Sequence, residues 1–295
     1  MLAANLGMLF VALSWGTMIP SMTHLLLGWD PYFLALARYG LAVPPMLLLM
    51  RMTERDLPWF AGFAPWRWWV LGIIGIGFFP PLYTVGLEHC NPVTAAILSS
   101  TSPAITAVVG RLGFHLPIPA RMIPGMIITI LGCAYATYDP GLGGIPFDLR
   151  GGEILIIAAM ACWAWYSIAA QRWLQGCSQL RIAGVTTTLG KPVLIAIYFI
   201  AGALGSADVP PAIPHDWVNA GLFIWLALVP VMMGNILWHH GVRRLGPVIA
   251  ALFMNLMPIS AVLITSAMGV VPSAQQIIGG IAVLAGIMLA QLRRG

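Results

Sequence analysis

The chain has 295 residues, of which 60% are hydrophobic and only 8% are charged. Soluble domains carry about 25% charged residues, and a soluble fold of this size could not hide so much apolar surface, so the solvent must be lipid. The formal net charge of +5 comes from scattered arginines and not from a basic face, which argues against a nucleic-acid partner. The four cysteines show neither a CxxC motif nor metal-ligand spacing, so we expect no metal and no cofactor.

Apolar runs follow one another along the chain and are separated by turn residues or charges. A membrane-spanning helix needs about 20 apolar residues. A backbone in lipid must satisfy its own hydrogen bonds, and the alternating polarity of a barrel strand is missing, so each run is predicted to be a helix. The ten predicted spans cover residues 3–22, 31–50, 67–87, 92–113, 120–138, 151–173, 181–203, 217–239, 246–268 and 273–292.

One stretch of the chain occurs twice. Residues 83–114 align without a gap to residues 238–269 at an offset of 155. The identities that dictate backbone shape are Gly86, Pro92 and Pro103 in the first copy and Gly241, Pro247 and Pro258 in the second. Weaker correspondences are those of residues 14–16 with 162–164, at an offset of 148, and of the pair Gly125/Gly132 with Gly279/Gly286. The pattern indicates an internal repeat.

The basic residues are distributed unevenly between the two ends of the predicted spans. If the N-terminus lies in the cytoplasm, eleven of the 14 fall at cytoplasmic ends, Arg150 falls outside, and Arg38 and Lys191 lie within spans. Because five spans per half is an odd number, the second half then crosses the membrane inverted relative to the first. The equivalent loops agree with this arrangement, since Glu88 falls outside and Arg243 falls inside.

We therefore predict an all-α integral membrane protein with ten transmembrane helices, built from inverted five-helix repeats at residues 1–140 and 150–295, with both termini in the cytoplasm. An inverted repeat is a common architecture of secondary transporters, so alternating access is the preferred mechanism. A membrane enzyme is not favoured, because no nucleophile and base are placed together. A channel usually has a charged ring or a filter motif, and neither is visible.

The short motifs that accompany the repeat are similar to those of a known family. They are Trp15-Gly16 in span one, the Gly…Pro…Ala-Ala…Pro run of spans three–four and eight–nine, the stretch 163–166, and Trp238-x-x-Gly241. The whole chain resembles the drug/metabolite transporter superfamily of EamA type, and most closely the YddG-type bacterial exporters of aromatic and other amino acids. The resemblance implies a basket of helices in the bacterial inner membrane around a central substrate cavity, lined by spans one, three, four, six, eight and nine.

Span four carries hydroxyl side chains directly before a proline. Pro103 cannot donate to the carbonyl of Ser99, so this acceptor and the hydroxyls of Ser99 and Ser100 form a candidate site for an ammonium or amide donor. Asn255 stands before Pro258 at the position equivalent to Ser100, and a two-fold relation would bring both to the same depth. The alternative is that these polar groups join helices, as serine and threonine commonly do in membranes.

Aromatic side chains at mid-span positions are candidates for cavity walls. Trp15, Tyr83, Trp163 and Trp238 offer flat apolar faces and cation–π attraction for an amino group, with Asn235 close to Trp238 in span eight. Helix packing is the alternative role. Seven other tryptophans at predicted span ends are expected to anchor the protein at the membrane interface: Trp29, Trp59, Trp66, Trp68, Trp69, Trp173 and Trp217.

Arg38 and Lys191 are the only charged residues well inside predicted spans. A charge at the bilayer centre costs at least about 2.5–3.5 kcal/mol, so it normally faces the interior and has a role. The role is either to bind a substrate carboxylate or to bond the carbonyls that Pro44, Pro45 or Pro192 leave free. A further alternative is that the Arg38 side chain extends along the helix and places its guanidinium at the outer interface.

The preferred function is export of amino acids, aromatic and other neutral ones, or of related small metabolites by a monomeric carrier in a lipid bilayer. A broader drug or metabolite carrier, a nucleotide-sugar-like carrier and a solute channel stay open as alternatives. Phosphorylated ligands would need several arginines, which the span interiors lack. Each of the nine carboxylates can be assigned to a loop or a span end, so we expect uncoupled, facilitated transport whose direction follows the substrate gradient.

An impermeant thiol reagent tests the predicted topology. In a variant whose four native cysteines are replaced by serine, His89→Cys and Arg244→Cys each introduce one thiol into equivalent loops. We expect His89→Cys to react from the outside of intact cells, and Arg244→Cys to react only after the cells are opened. Labelling of both thiols from the same side would contradict the inverted repeat.

Overall fold

The computed structural model describes residues 2–118, 120, 123–136, 150–213, 216–245, 253, 256–267, 269 and 271–292, and this part of the chain is helical and contains no strand. The elements are α1 (Leu2–Gly16), α2 (Met18–Leu25), α3 (Pro31–Thr53), α4 (Pro65–Gly72), π1 (Ile73–Phe78), α5 (Phe79–Glu88), α6 (Pro92–Ser100), α7 (Ser102–Phe114), α8 (Ile123–Ala136), α9 (Gly152–Trp173), α10 (Gln179–Ala203), α11 (Trp217–Leu226), π2 (Ala227–Gly234), α12 (Asn235–Leu245), α13 (Leu256–Ala267) and α14 (Ala274–Leu292).

Six continuous helical segments of the described chain are long and apolar enough to cross a membrane. They are Ala4–Leu25, Pro31–Thr53, Pro65–Glu88, Gly152–Trp173, Gln179–Ala203 and Trp217–Trp238. A seventh span is obtained if α6 and α7, which bend by 52° at their junction, are counted as one. α8 and α14 are shorter apolar helices, and only part of the predicted span at 246–268 is described. The protein is therefore a multi-pass helical membrane protein.

The helix starts follow from cap residues in the breaks between the apolar runs. Asp30, Asn91, Ser178 and Asp216 each accept a hydrogen bond from a backbone N–H two or three residues further on. These side chains satisfy N–H groups that have no partner inside the helix. Pro31 and Pro92 occupy the first helical position, where the missing N–H costs nothing.

Two spans contain a π-helical segment at matched positions. An offset of 155 places residues 73–78 of π1 on residues 228–233, inside π2. Prolines account for both segments, because Pro80 and Pro81 after π1 and Pro230 within π2 cannot donate to the carbonyl four residues earlier. A π turn re-pairs the ladder around such a gap and is common at functional sites.

α3 and α10 pack against each other, and each also packs against the π segment of the opposite half of the chain. A buried cluster between these elements contains Tyr39, Ala42, Ile76, Leu194 and Val231. Tyr39 and Leu194 are 155 residues apart, and so are Ile76 and Val231. The offset seen in the sequence therefore relates residues that meet in one core.

Arg181, at the start of α10, binds the end of α3. Its Nε donates to Oε2 of Glu54 at 2.9 Å, its Nη2 donates to the Glu54 carbonyl at 2.8 Å, and its Nη1 donates to the Pro58 carbonyl at 2.7 Å. The Ser178 hydroxyl donates to the other oxygen of the Glu54 carboxylate. Because Arg181 is buried, loss of Glu54 would leave an uncompensated charge.

The opposite ends of α3 and α10 are also joined. The second carboxylate oxygen of Asp30 accepts from the backbone N–H of Asp208 at 3.1 Å, and the Tyr198 hydroxyl donates to the Asp208 carbonyl at 2.7 Å. Asp30 and Ser178 are the N-caps of the two helices and are 148 residues apart. α3 and α10 thus run antiparallel, and each cap residue binds the segment that follows the other helix.

α8 and α14 touch through their glycines. A methyl group on Gly132 would lie 2.8 Å from the Gly279 carbonyl oxygen, and one on Gly286 would lie 2.6 Å from the Gly125 carbonyl oxygen. Small residues allow helix backbones to approach this closely in membranes. Gly132 corresponds to Gly286 in the repeat, and Gly279 corresponds to Gly125, so the first contact is equivalent to the second. This antiparallel seam is therefore self-complementary.

Two of the predicted interface tryptophans are in fact buried. Trp68 is 0% exposed and packs among residues of α9 and α10, and Trp29 is 6% exposed and stacks on Phe33 and Phe223. The anchor prediction was wrong for these two, because position near a span end does not reveal which face of the helix a side chain occupies. Trp217 and Trp66, by contrast, are exposed.

The α8–α14 seam provides a matched pair of substitutions on adjacent positions. A methyl group at Gly279 would lie 2.5 Å from the Gly132 carbonyl oxygen and 2.7 Å from Ala136 Cβ, whereas at Gly280 the nearest atom is a methyl of Ile97 at 3.8 Å. We expect Gly279→Ala to destabilise the protein by roughly 1–3 kcal/mol through overpacking. Gly280→Ala should be neutral or stabilising by up to about 1 kcal/mol through helix propensity. Unfolding midpoints in detergent measure both, and equal midpoints would contradict the seam.

Candidate functional site

The predicted site residues that the structure describes form two groups, and the charged residues Arg38 and Lys191 belong to neither of them. Tyr83 and Ser99 lie together, and Trp163 packs beside them; Trp15, Asn235 and Trp238 also lie together. The side chain of Ser100 and the whole of Asn255 lie outside the described residues. The predictions for these two positions therefore stay predictions.

The first cluster is formed by Tyr83, Ser99, Phe79 and Trp163. The hydroxyls of Tyr83 and Ser99 are 3.2 Å apart and share a hydrogen bond, and both residues are less than 5% exposed. The Phe79 ring lies 5.7 Å from the Tyr83 ring and 5.1 Å from the Trp163 ring. In this conformation the two hydroxyls are each other's partners, and the aromatic rings seal them.

The hydroxyl-rich stretch of span four lies at a break in the helix. α6 ends at Ser100, α7 begins at Ser102, and Pro103 removes one donor from the ladder. The Thr101 N–H faces the carbonyls of Leu98 and Ser99. The sequence predicted a free Ser99 carbonyl, but in the structure this carbonyl is not wholly free. The Thr101 hydroxyl also donates to the Leu98 carbonyl at 2.7 Å.

The second cluster is formed by Trp15, Gly234, Asn235 and Trp238, around π2. The Trp15 indole N–H donates to the Pro230 carbonyl at 2.9 Å, and the Asn235 amide donates to the Val231 carbonyl at 2.7 Å. The Trp15 and Trp238 rings are 5.6 Å apart, and a methyl group on Gly234 would overlap the Trp15 ring. The donors predicted to face a ligand thus satisfy carbonyls of the π segment, while both indole rings stay half-buried.

The two clusters correspond through the same offsets as the sequence. Trp15 and Trp163 are 148 residues apart, and their packing partners Gly234 and Phe79 are 155 apart. Contacts between the neighbouring spans are related by the same two offsets. A methyl on Gly86 would lie 2.9 Å from Ile156, and one on the equivalent Gly241 would overlap Met8, which is equivalent to Ile156.

Arg38 is buried beside the first cluster. It is 0% exposed, its Nη1 donates to the Met22 sulfur at 2.9 Å, and its guanidinium carbon lies 5.2 Å from the centre of the Tyr39 ring. Its Nε and Nη2 have no hydrogen-bond partner in the part of the chain that the structure describes. Arg38 therefore neither extends to the interface nor bonds a carbonyl freed by a proline, and those two alternatives are wrong.

Lys191 has a different environment. It is half-buried in α10, and a methyl group on Gly40 of α3 would lie 3.9 Å from its Cε. Among the described residues it has no hydrogen bond and no ion pair. Its ammonium group is therefore less completely enclosed than the Arg38 guanidinium, although both were predicted from the same rule about charges in spans.

The sequence did not predict that two charged side chains at span ends are buried. Arg181 and Glu153 were assigned to span ends, which is where they lie, but both are buried. Glu153 is in the first turn of α9, and its Oε2 accepts from the Arg150 N–H at 3.1 Å. An acidic residue at a helix start is a recognisable signal, whereas the Glu54 partner of Arg181, 127 residues away, has no local signal.

An apolar groove runs along the α8–α14 seam. Its lining includes Ile128, Leu131, Tyr135, Ile278 and Ala282. Several of these side chains are well exposed, and Tyr135 is the one polar group among them. Such a surface suits lipid chains and has no set of polar groups that would orient a transported solute. No three potential metal ligands come together in the described residues.

Two segments of the chain, residues 2–138 and 150–292, match the family model of the EamA-like transporter family. The chain belongs to this family. It is 26% identical to the uncharacterized transporter YyaM of Bacillus subtilis, over 89% of this chain and 85% of that protein. It is 22% identical to a probable terminal-alkyne amino-acid exporter of Streptantibioticus cattleyicolor, over 97% of this chain and 93% of that protein.

One solved crystal structure has the same fold as this EamA-type chain, with a TM-score of 0.65 and 18% sequence identity over 98% of this chain and 96% of the other. The named relatives are transporters or exporters and not enzymes. The protein is therefore a membrane transporter of the drug/metabolite transporter superfamily, as its motifs had indicated.

A double-mutant cycle tests the buried hydroxyl pair. Tyr83→Phe and Ser99→Ala each leave one buried hydroxyl without its partner, so each should lower the free energy of unfolding by about 1–3 kcal/mol. The double variant removes both groups, and its loss should be about 1 kcal/mol smaller than the sum of the single losses. Unfolding in detergent measures the cycle, and strictly additive losses would show that the hydroxyls do not interact.

Proposed function

We propose that this EamA-type transporter exports neutral amino acids, aromatic ones included, or related small metabolites across the bacterial inner membrane by alternating access. The observation that carries the proposal is the matched placement of aromatic and polar residues beside π1 and π2, one cluster at each π segment, with a tryptophan of the other half in each. The likeness to a probable amino-acid exporter supports the choice of substrate class.

The architecture that we propose is ten transmembrane helices in two inverted repeats, at residues 1–140 and 150–295, with both termini in the cytoplasm. Support comes from the offset that relates the π segments, the shared core around Ile76 and Val231, and the self-complementary α8–α14 seam. The two separate matches to the family model support the division into halves. Inverted repeats allow one site to open to either side by exchange of the conformations of the halves.

The residues of the two clusters would line the substrate cavity. Trp15, Tyr83, Trp163 and Trp238 provide flat walls for an apolar side chain and cation–π attraction for an ammonium group. The polar contacts would come from Ser99 and Ser100 on one side and from Asn235 and Asn255 on the other. Hydroxyls and amides can bind both the ammonium and the carboxylate of an amino acid.

The clusters differ in a way that suits alternating access. Trp15 holds π2 through a hydrogen bond to a backbone carbonyl, whereas the contact of Trp163 with span three is a ring contact with Phe79. Symmetric halves in different conformations would exchange these contacts when the cavity opens to the other side. The indole of Trp15 would then leave the Pro230 carbonyl, which becomes an acceptor for the substrate.

Transport is proposed to be uncoupled from ions. The described carboxylates lie in loops or at span ends, where the buried Glu153 and the partly buried Glu54 bind partners. A proton-coupled carrier usually keeps a titratable group at mid-membrane. Arginine does not titrate at physiological pH, which leaves Lys191 as the one described candidate. A phosphorylated or nucleotide-sugar ligand is disfavoured, because Arg38 is the single arginine that lies well inside a described span.

Flux through purified protein in liposomes tests the proposal. We expect saturable counterflow of at least one labelled neutral amino acid, and no uphill accumulation under an imposed pH or sodium gradient. Ser100→Leu and Asn255→Leu should abolish this flux with little change in folding, because the first fills a polar wall with bulk and the second replaces the amide with an apolar group of similar shape.

Gly221→Leu is the control, since it introduces the same leucine side chain at a position in α11 where an added Cβ has nothing within 4 Å. Linear flux that does not saturate would indicate a channel, and uphill accumulation driven by either ion would contradict uncoupled transport. Absence of counterflow for every amino acid tested would overturn the proposed substrate class.

A further inference from the structure

We propose that the Nε/Nη2 edge of Arg38 is the carboxylate-binding group of the transporter, so that the substrate must carry a free carboxylate. This inference rests on the proposed function and deepens it, because it separates acids from the amines and amides that the aromatic walls alone would also accept. The proposal assigns the recognising residue in span two, outside the two clusters that line the predicted cavity.

The charge of Arg38 has no anion in the described part of the protein. The Tyr39 ring lies 5.2 Å from its guanidinium carbon, and no described carboxylate forms an ion pair with it. Asp30, Glu54 and Glu153 bind backbone or arginine groups elsewhere, and Asp56 is exposed. A buried charge without a partner costs several kcal/mol, so an anion supplied from outside would be bound strongly.

The free donors have the geometry that a carboxylate requires. Nε and Nη2 lie on one edge of the planar guanidinium, and their N–H groups point the same way as a fork. Two parallel hydrogen bonds from such an edge hold both oxygens of a carboxylate. Nη1, on the other side, already donates to the Met22 sulfur. The two free N–H donors of Arg38 are thus adjacent and can bind both oxygens of one carboxylate.

The position of Arg38 places a bound carboxylate next to the first cluster. Arg38 bonds Met22, which belongs to the same buried cluster as Phe79 and Tyr83, and the Tyr83 hydroxyl is bonded to Ser99. A carboxylate on the guanidinium edge would bring the rest of an amino acid toward these hydroxyls and toward the Trp163 ring. Recognition of the acid and of the apolar side chain would therefore come from adjacent surfaces.

In this conformation Met22 contacts the guanidinium at Nη1, and the Nε and Nη2 atoms are themselves buried. The methionine sulfur is a weak acceptor, so a carboxylate oxygen is the stronger partner for the guanidinium. Met22 belongs to α2, which is separated from α1 by a turn at Thr17. Movement of this short helix relative to α1 would withdraw the Met22 sulfur from Nη1 and open space beside the guanidinium. We therefore assign the described conformation to a state in which the anion site is occluded.

Ligand series that differ only in the carboxylate test the inference. The probes are phenylalanine, phenylalaninamide and phenethylamine, measured by the rise in unfolding midpoint and by counterflow. Wild-type protein should bind phenylalanine better than either compound that lacks the carboxylate. Arg38→Met should bind phenylalanine roughly 10- to 100-fold more weakly and lose the preference for the acid.

Two further variants keep the result interpretable if Arg38→Met fails to fold. Arg38→Lys keeps the charge without the fork, so it should retain part of the preference for the acid and bind less tightly than wild type. Arg51→Met removes an exposed arginine at the other end of α3 and should behave as wild type. Without ligand, Arg38→Met should unfold at the same temperature as wild type or higher, because an unpaired buried charge is gone.

Phenylalanine binding by Arg38→Met or Arg38→Lys with wild-type affinity and wild-type acid preference would overturn this inference and leave the proposed function intact. If wild type transports no amino acid but phenylacetate raises its midpoint in an Arg38-dependent way, the anion site stands and the proposed function fails. If neither phenylalanine nor phenylacetate raises the midpoint of the wild-type protein, the carboxylate site is overturned.

Discussion

The requirement that a helix in lipid satisfy its own backbone is the constraint on which the rest of this structure depends. Prolines break that requirement at defined points, because each removes a donor inside an apolar span. Pro80 and Pro81 follow π1, Pro230 lies within π2, and Pro103 lies at the break between α6 and α7. Carbonyls near these points bind side chains such as Trp15 and Asn235. The groups suited to a ligand are therefore concentrated where the ladder is irregular.

The rigid parts of the protein surround these irregular segments. The antiparallel pair of α3 and α10 is joined at both ends, most strongly by Arg181 and Glu54, and the glycine seam holds α8 against α14. The Arg181–Glu54 ion pair and the close backbone contact at the glycine seam resist change, whereas π turns are irregular and frequent at functional sites. Motion between states is thus expected in spans three and eight and in the short helix α2.

The sequence predicted the helical spans and the family, and the contacts that it did not predict share a physical cause. Apolar runs, proline spacing and the offset of 155 predicted helices where the structure has them, and the motifs indicated the family. Pairings over long sequence distances were missed, as between Trp15 and Pro230 or between Glu54 and Arg181, because no local pattern encodes them. Trp29 and Trp68 were misplaced because a span-end rule ignores helix face. Arg38 was singled out by its charge, but its unoccupied donor edge required coordinates.

The central claim is that substrate binds beside the two π segments. Hydrogen–deuterium exchange with and without a saturating amino acid that the protein transports measures this most directly, because π turns have weaker ladders than the surrounding helix. The account predicts that exchange slows in peptides covering residues 73–83 and 228–238, while peptides from α8 are unchanged. Slowed exchange confined to α8 and α14, with both π segments unaffected, would contradict it.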